Sequence, residues 1–353
     1  MRWILNCSLV LTIFLLTSCA VPQKIENKPP LSSTEQFVVE QLMTEEHLLQ
    51  TDLQQQKDIF LSESVGLWLT YLGKKGDIGR FQEQVEVLEK YFIKNQFIIW
   101  RIDGQQASTV NAFIDDLRII HALLEAGEQW EMPQYIRLAK KLGEPLVQQG
   151  MREGIFVDFV DIYSFEKANT ITLSYIMPEA LNKMVQYDIL SEQQMQQQVN
   201  VLQNATPTSS GFYPKSYDVV TKKYAYDQEL HMIDQLYTAF NKLQLGESTE
   251  MFTTWLLQLY ERDGRIYGRY DAETNLPSVT FDSPAVYALA TSYMLGLGNE
   301  EMAKRFFEQM NALKNNKETG YIDVKTSATH VFDNLMPLVT EREMDYANND
   351  KGN

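Results

Sequence analysis

Three acidic segments, far apart in the chain, hold the side chains best suited to moving protons. The first is Leu61-Ser62-Glu63-Ser64-Val65-Gly66-Leu67-Trp68. Ser62 is placed to cap a helix, which puts Glu63 in the first turn. The helix dipole favours a carboxylate there without any further role, and it favours the ionised form; a proton-donating Glu63 needs apolar walls or a neighbouring carboxylate to outweigh it. Gly66 opens close access one turn on, and Trp68 supplies a flat apolar surface. The second segment is Asp115-Asp116, near the start of an amphipathic stretch whose apolar face carries Phe113, Leu117, Ile120, Leu123 and Leu124. Asp116 falls near the middle of that face, where a carboxylate is costly unless it is bonded or meets a wet cavity. Asp115 falls toward its edge. The dipole of a first helical turn accounts for both equally well. The third is Tyr224-Ala225-Tyr226-Asp227, read as a helix start with Asp227 either an N-cap or a cleft residue. Two tyrosines just before it suit a sugar-binding cleft, where a ring packs on the apolar face of a sugar and the hydroxyl bonds at its edge.

Composition removes several other chemistries. The formal net charge is −16, and nucleic-acid binding runs on clustered Lys and Arg, so no nucleic-acid partner is expected. The four histidines (His47, His121, His231, His330) show no zinc-ligand spacing, and neither a metal nor a cofactor is expected. No Gly-x-Ser-x-Gly elbow and no phosphate-cradling glycine loop is present. Of the two cysteines, Cys7 lies in an apolar N-terminal run and Cys19 ends Leu16-Thr17-Ser18-Cys19, which resembles a bacterial lipobox. Residues 1–18 therefore read as a lipoprotein signal peptide, Cys19 as the lipidated residue, and 19–33 as that residue with a flexible tether. The resulting localisation is the extracellular face of the cell membrane, touched through the N-terminal lipid only.

With 44% hydrophobic residues and 11% aromatics the remainder can bury a substantial core. Its apolar spacing is mostly helical. Twelve segments qualify, near 33–46, 63–74, 77–94, 108–126, 131–150, 177–189, 191–203, 227–243, 248–262, 283–296, 299–313 and 329–345. Joined by short turns, they predict an all-α toroid of helical hairpins filling one domain over 34–345, with a disordered tail at 346–353. The β-branched and aromatic stretches at 155–173 and 264–268 interrupt the helices and read as hairpins or long loops at the rim. A monomer is expected.

In this order, the three acidic segments resemble those of glycoside hydrolase family 8. Ser62 through Trp68 is similar to the family's Ser-Glu-Gly-x-x-Tyr-Gly segment. Ala112 through Trp130 resembles its Ala-Ser/Thr-Asp-Ala/Gly-Asp-x-x-Ile-Ala signature, Tyr226-Asp227 its Tyr-Asp, and Asp282-Ser283-Pro284-Ala285 a late segment. The resemblance implies an (α/α)6 toroid and inverting cleavage of β-1,4-type linkages, endo-acting, in an exopolysaccharide linked to polymer synthesis or biofilm control. It assigns Glu63 as general acid, Asp227 as general base, and Asp116 or Asp115 as the group gripping the sugar at the cleavage point. Trp68, Trp100, Tyr224 and Tyr226 would bind substrate. Such a reaction needs one protonated carboxyl for the leaving oxygen and one ionised carboxylate to activate water, about 6.5–9.5 Å apart. Three positions depart from the pattern: Ser64 follows Glu63 where a Gly usually stands, Ile114 replaces the first signature Asp, and Leu230 stands where an Arg usually follows. They leave open a catalytically lapsed polysaccharide-binding lipoprotein of the same fold.

Overall fold

The computed structural model describes residues 31–315, 319–323 and 325–349. The segment read as a signal peptide, Cys19 and nearly all of the expected tether lie outside the described residues. Twelve α-helices follow one another: α1 Ser33–Phe37, α2 Ser62–Lys75, α3 Ile78–Val87, α4 Phe113–Gln129, α5 Pro133–Gln149, α6 Pro178–Gln186, α7 Glu192–Gln203, α8 Met232–Gln244, α9 Glu250–Asp263, α10 Pro284–Gly296, α11 Glu300–Ala312 and α12 Phe332–Asn349. Their starts are chemically marked. Pro opens α5, α6 and α10, where its missing N–H costs nothing, while Asp77, Ser191 and Asn299 cap α3, α7 and α11 through their side chains. α1 and α3 each run on into one π-helical turn, at Val38–Leu42 and Leu88–Phe92.

The even-numbered helices form a closed inner ring in which α2 meets α4, α4 meets α6, α6 meets α8, and so on through α10 and α12 back to α2. The short helical turn Leu173–Tyr175 fills in beside α8. On the outside, α3, α5, α7 and α11 each back onto the helix before them, and α1 onto α12. α9 is held from outside by rings: Phe252 packs against Tyr213 and against Tyr293 of α10, and the Thr253 hydroxyl lies 2.7 Å from that of Tyr293. This is the toroid of helical hairpins expected from periodicity, in the (α/α)6 arrangement that the resemblance implied. An inner helix is covered on all sides, so α2 buries Ser62, Ser64–Leu69, Tyr71 and Leu72 rather than a single stripe. Gly66 makes the closest approach possible: a Cβ there would stand 3.1 Å from the Arg118 Cβ and 3.3 Å from the Ile119 Cγ1 of α4. That approach sets Arg118 beside the start of α2.

Because inner helices alternate with outer ones of opposite direction, all the inner N-termini gather at one mouth. The small strands sit at the same end, since they lead into those helices. Ile59–Leu61 precedes α2 and pairs with Arg101–Asp103; Glu229–His231 precedes α8 and pairs with Arg269–Asp271; Thr170–Thr172 precedes α6 and pairs with Ser216–Asp218. Rim hairpins were expected at 155–173 and 264–268, and strands lie at or next to both.

Three boundaries differ from expectation. The helix read from 108 begins at Phe113, because Ser108 through Asn111 bond sideways to neighbouring loops, with the Ser108 N–H donating to Arg101 and that of Asn111 to Val160. The helix read from 227 begins at Met232, because Asp227 and Gln228 are loop and Glu229–His231 is strand. The tail expected to be disordered from 346 is helical to Asn349, and the Tyr346 hydroxyl donates to the Lys74 carbonyl at 2.5 Å.

Candidate active site

At the mouth, the first turns of α2, α4, α8 and α12 present Glu63, Asp115 with Asp116, Asp234 and Asp333. Converging N-terminal dipoles make this end of the ring favourable for negative charge. Ser62 is not the cap it was expected to be. The N-cap of α2 is Leu61, in extended conformation, and no side chain of its own bonds the helix start. The capping function comes instead from another helix. Asp115 accepts the Ser62 hydroxyl at 2.7 Å and the backbone N–H of Glu63, and its other oxygen takes the Arg118 guanidinium at 3.2 Å. The second arm of Arg118 reaches the Tyr237 hydroxyl at 3.3 Å.

Glu63 is half-buried and opens into a cavity of about 450 Å³ walled by His231, Arg269, Phe281, His330 and Asp333. Burial pushes its carboxyl up to about 7; the negative charges of Asp115 and Asp333 add to the rise, and Arg118 opposes it. The dipole at the start of α2 is thus outweighed, as a proton donor requires. Burial pushes the imidazoles of His231 and His330 below their usual range.

The cavity continues on both sides. Through His231 and Arg269 it joins a lobe of about 480 Å³ that holds Tyr226, Asp227, Glu229 and Lys215. Through Phe281, His330 and Asp333 it joins a lobe of about 600 Å³ that reaches Asp282, Tyr321 and Asp323. Together the three lobes form one cleft across the mouth, with Glu63 in the middle. Asp227 sits on the loop between strands Lys223–Ala225 and Glu229–His231, 40% exposed and ion-paired with Lys215 at 3.1 Å. It is neither an N-cap nor sealed in packing. Leu230, where an arginine was expected, is buried in its strand; the guanidinium at this edge belongs to Arg269, opposite His231 in the pairing and bonded to Glu229 at 2.8 Å.

Several expected site residues lie elsewhere. Asp115 and Asp116 are only 4% and 2% exposed, and neither walls the cleft, so neither grips a sugar directly. Asp116 takes the Asn111 amide at 2.5 Å, while the Asn111 carbonyl oxygen accepts the Val160 N–H; this tie fastens a rim loop to α4. Trp68 is 1% exposed and stacks on Tyr71 with ring centroids 5.3 Å apart, a core residue because its helix has no free face. Tyr224 lines a separate groove on the outer wall. Trp100 is half-buried beside the start of α2, its carbonyl accepting the Ser62 N–H at 3.0 Å. Tyr226 is 47% exposed on the Asp227 lobe, its hydroxyl donating to the Thr206 carbonyl. Sequence reasoning missed His231, Arg269, Phe281 and Asp333. For Asp333 the signal was available, since it is an acid in the first turn of an inner helix just as Glu63 is.

No family model matches the chain. A Bacillus subtilis (strain 168) protein named as a lipoprotein, YdaJ, is 37% identical over 325 residues, which cover 90% of this chain and 88% of that protein. Among solved structures, PssZ from Listeria monocytogenes is 29% identical with a TM-score of 0.72, covering 88% of this chain and 94% of that one. An α-amylase from Clostridium perfringens has a TM-score of 0.81 at 23% identity, covering 88% and 96%. Endoglucanase Cel10 from Klebsiella pneumoniae, a family 8 glycosyl hydrolase, has a TM-score of 0.64 at 14% identity, covering 89% and 99%. The last two likenesses show the fold alone. The chain belongs to the family of the lipoprotein YdaJ, a divergent branch built on the glycoside hydrolase family 8 fold.

Proposed function

We propose that the protein is an inverting, endo-acting glycoside hydrolase that cleaves β-1,4-type linkages in an exopolysaccharide, with Glu63 as general acid and Asp227 as general base. The observation that carries this reading is the setting of Glu63: a carboxyl at the centre of an open cleft, pushed up to about 7 by burial and by the negative charges of Asp115 and Asp333, which favours the protonated form. Donation to the glycosidic oxygen needs that form. Asp227 stands one lobe away, 40% exposed and 3.1 Å from the Lys215 ammonium, open to a water that could attack from that side. His231 and Arg269 line both lobes, so a polymer strand laid across them would run from the Glu63 side to the Asp227 side. Tyr226 offers a sugar platform on the base side, and Phe281 an exposed ring on the other. Trp100 remains a candidate platform at the edge of the Glu63 turn.

Asp115 is a positioning residue in this scheme. It fixes the backbone of Glu63 through the amide and keeps Arg118 from neutralising the acid outright. The lipoprotein name of the relative supports anchoring through Cys19, with the toroid at the outer face of the membrane. None of the helices among the described residues is long and apolar enough to cross a membrane.

The test is release of new reducing ends by the full-length protein from soluble β-1,4-glucan, N-acetylhexosamine polymer and starch, with the anomer of the first product read by NMR. Asp227→Asn is expected to lose cleavage by about 10²–10⁴-fold while melting as wild type does. Cleavage by Asp227→Asn at the wild-type rate would remove Asp227 as base. A wild type that binds one of these polymers and cuts none would make the protein a polysaccharide-binding member of the fold.

A further inference from the structure

Outside the cleft, a groove of about 310 Å³ runs along the outer wall of the ring, and its lining shares no residue with the three lobes. One side is α7, which turns Gln197, Asn200 and Asn204 into it, residues spaced to fall on one helical face. The other side is the hairpin 216–225, whose directly paired Tyr217 and Tyr224 stand with ring centroids 4.9 Å apart at 52°. Both rings are half-buried. The Tyr224 hydroxyl donates to the Val201 carbonyl at 2.7 Å, so the hairpin is pinned to α7 and the ring orientation is fixed. A second hairpin closes the end. Its turn residue Gly154 has φ +78°, and the site of its absent Cβ lies 2.9 Å from the Gln197 amide oxygen.

Carboxamides both donate and accept, which suits vicinal hydroxyls and N-acetyl groups, and a fixed pair of tyrosine faces suits the apolar side of a pyranose. The charges at the margin are one of each sign, Glu153 and Lys222, so nothing in the groove selects for a charged ligand. The cleft lies close along the chain: Tyr226 and Asp227 follow Tyr224 by two and three residues. We infer that this groove is a second carbohydrate-binding site that holds a neutral, hydroxyl- and N-acetyl-bearing stretch of polysaccharide beside the cleft. The inference rests on the hydrolase reading only for the identity of the polymer. It places Tyr224 in sugar binding, at a site other than the one its sequence position suggested.

The test is native electrophoresis of the full-length protein in detergent through gels cast with hydroxyethyl cellulose or glycol chitin, both neutral and soluble. All proteins carry Glu63→Gln, so that cutting does not enter the readout. Retardation by at least one polymer is expected, with apparent affinity falling at least threefold on adding Tyr217→Ala or Asn200→Ala. Asn200 is an exposed helical residue bonded to Gln196, so its loss spares the fold even if the tyrosine exchange loosens the hairpin. Unchanged affinity in Asn200→Ala and Tyr217→Ala, or no retardation by either polymer, overturns the groove. Retardation of Glu63→Gln through the groove, with a wild type that cuts no polymer in the reducing-end assay, fails the hydrolase reading alone and leaves the groove standing.

Discussion

The ring buries carboxylates at both ends and treats them differently. At the end away from the mouth, Glu35 of α1 is fully buried and meets Lys75 at the end of α2 at 2.6 Å and Arg80 at 3.6 Å, while Arg80 also grips Asp77 at 2.7 Å. Two cations face two carboxylates, and Glu35 itself has no exposed surface. At the mouth, Asp115 and Glu63 share one buried guanidinium, that of Arg118, Asp333 adds a negative charge that acts on Glu63, and a cavity opens on Glu63. Charge balance with closure ties α1 to the ring and does no chemistry. Charge surplus with an opening leaves one carboxyl holding a proton where a ligand can reach it. Low exposure alone therefore does not mark a functional acid in this fold; the ratio of anions to cations and the presence of an opening do.

The largest expected contrast comes from removing one acid at each end. Glu63→Gln is expected to lower cleavage of the right polymer by about 10³-fold or more with little loss of stability, since general acid catalysis contributes on the order of 10²–10⁴ and the amide fits the same space. Glu35→Ala is expected to do the reverse. Removing one partner of a buried ion pair costs about 3–5 kcal/mol, so the melting temperature should fall by many degrees while the activity per folded molecule stays at the wild-type level. Denaturant titration and reducing-end assays on the two variants check both. Loss of activity in folded Glu35→Ala would break the distinction between the ends.

Much of this contrast was legible in the chain, unevenly. Helix periodicity survives in an inner helix because its neighbours differ from face to face, and every helix expected from spacing is present. Glu63 was singled out through the resemblance of Ser62 through Trp68 to the family segment, since by spacing alone the dipole of a first turn accounts for an acid there. Asp115 and Asp116 were misread because a one-residue step on a helix rotates a side chain by about 100°, and on an inner helix every direction leads either to a neighbour or to the mouth. Trp68 failed for the same reason. The walls of the cleft were hidden because they come from strands and loops that meet only when the ring closes: Arg269 reaches the site by pairing with His231, and Phe281 by folding back over Gly268, to whose N–H its carbonyl is bonded at 3.1 Å.

A smaller effect sharpens the contrast through pH. In the unfolded chain Glu63 titrates near 4.5, and in the ring near 7. Between these values the folded protein keeps a proton that the unfolded chain releases, so stability falls as pH rises and the full cost is felt above about pH 7. Glu63→Gln removes that cost. It is expected to be more stable than wild type by roughly 1–3 kcal/mol at pH 8 and level with it at pH 4. Equal stability of the two proteins at pH 8 would mean that Glu63 is already ionised there without penalty, and the proton-donor role would go with it.

The smallest effect isolates the charge surplus itself. Asp333 uses one oxygen to accept the Ser283 hydroxyl at 2.5 Å and the Ala285 N–H at 3.1 Å, which ties α12 to the start of α10. Asp333→Asn keeps a carbonyl oxygen for both bonds and deletes only the negative charge. A general acid works while protonated, so the wild-type rate should fall as pH rises through about 7. With Asp333 neutralised, one of the two anions that hold the proton on Glu63 is gone, and the alkaline limb should move to lower pH by a fraction of a unit. Asp77→Asn at the other end serves as the control, because it also deletes a buried negative charge yet should lower the melting temperature and leave the pH profile in place. A limb that stays put in Asp333→Asn would mean that burial and Asp115 hold the proton without help from α12. The anion count at the mouth would then be smaller than the structure suggests, and the difference between the two ends would reduce to the opening alone.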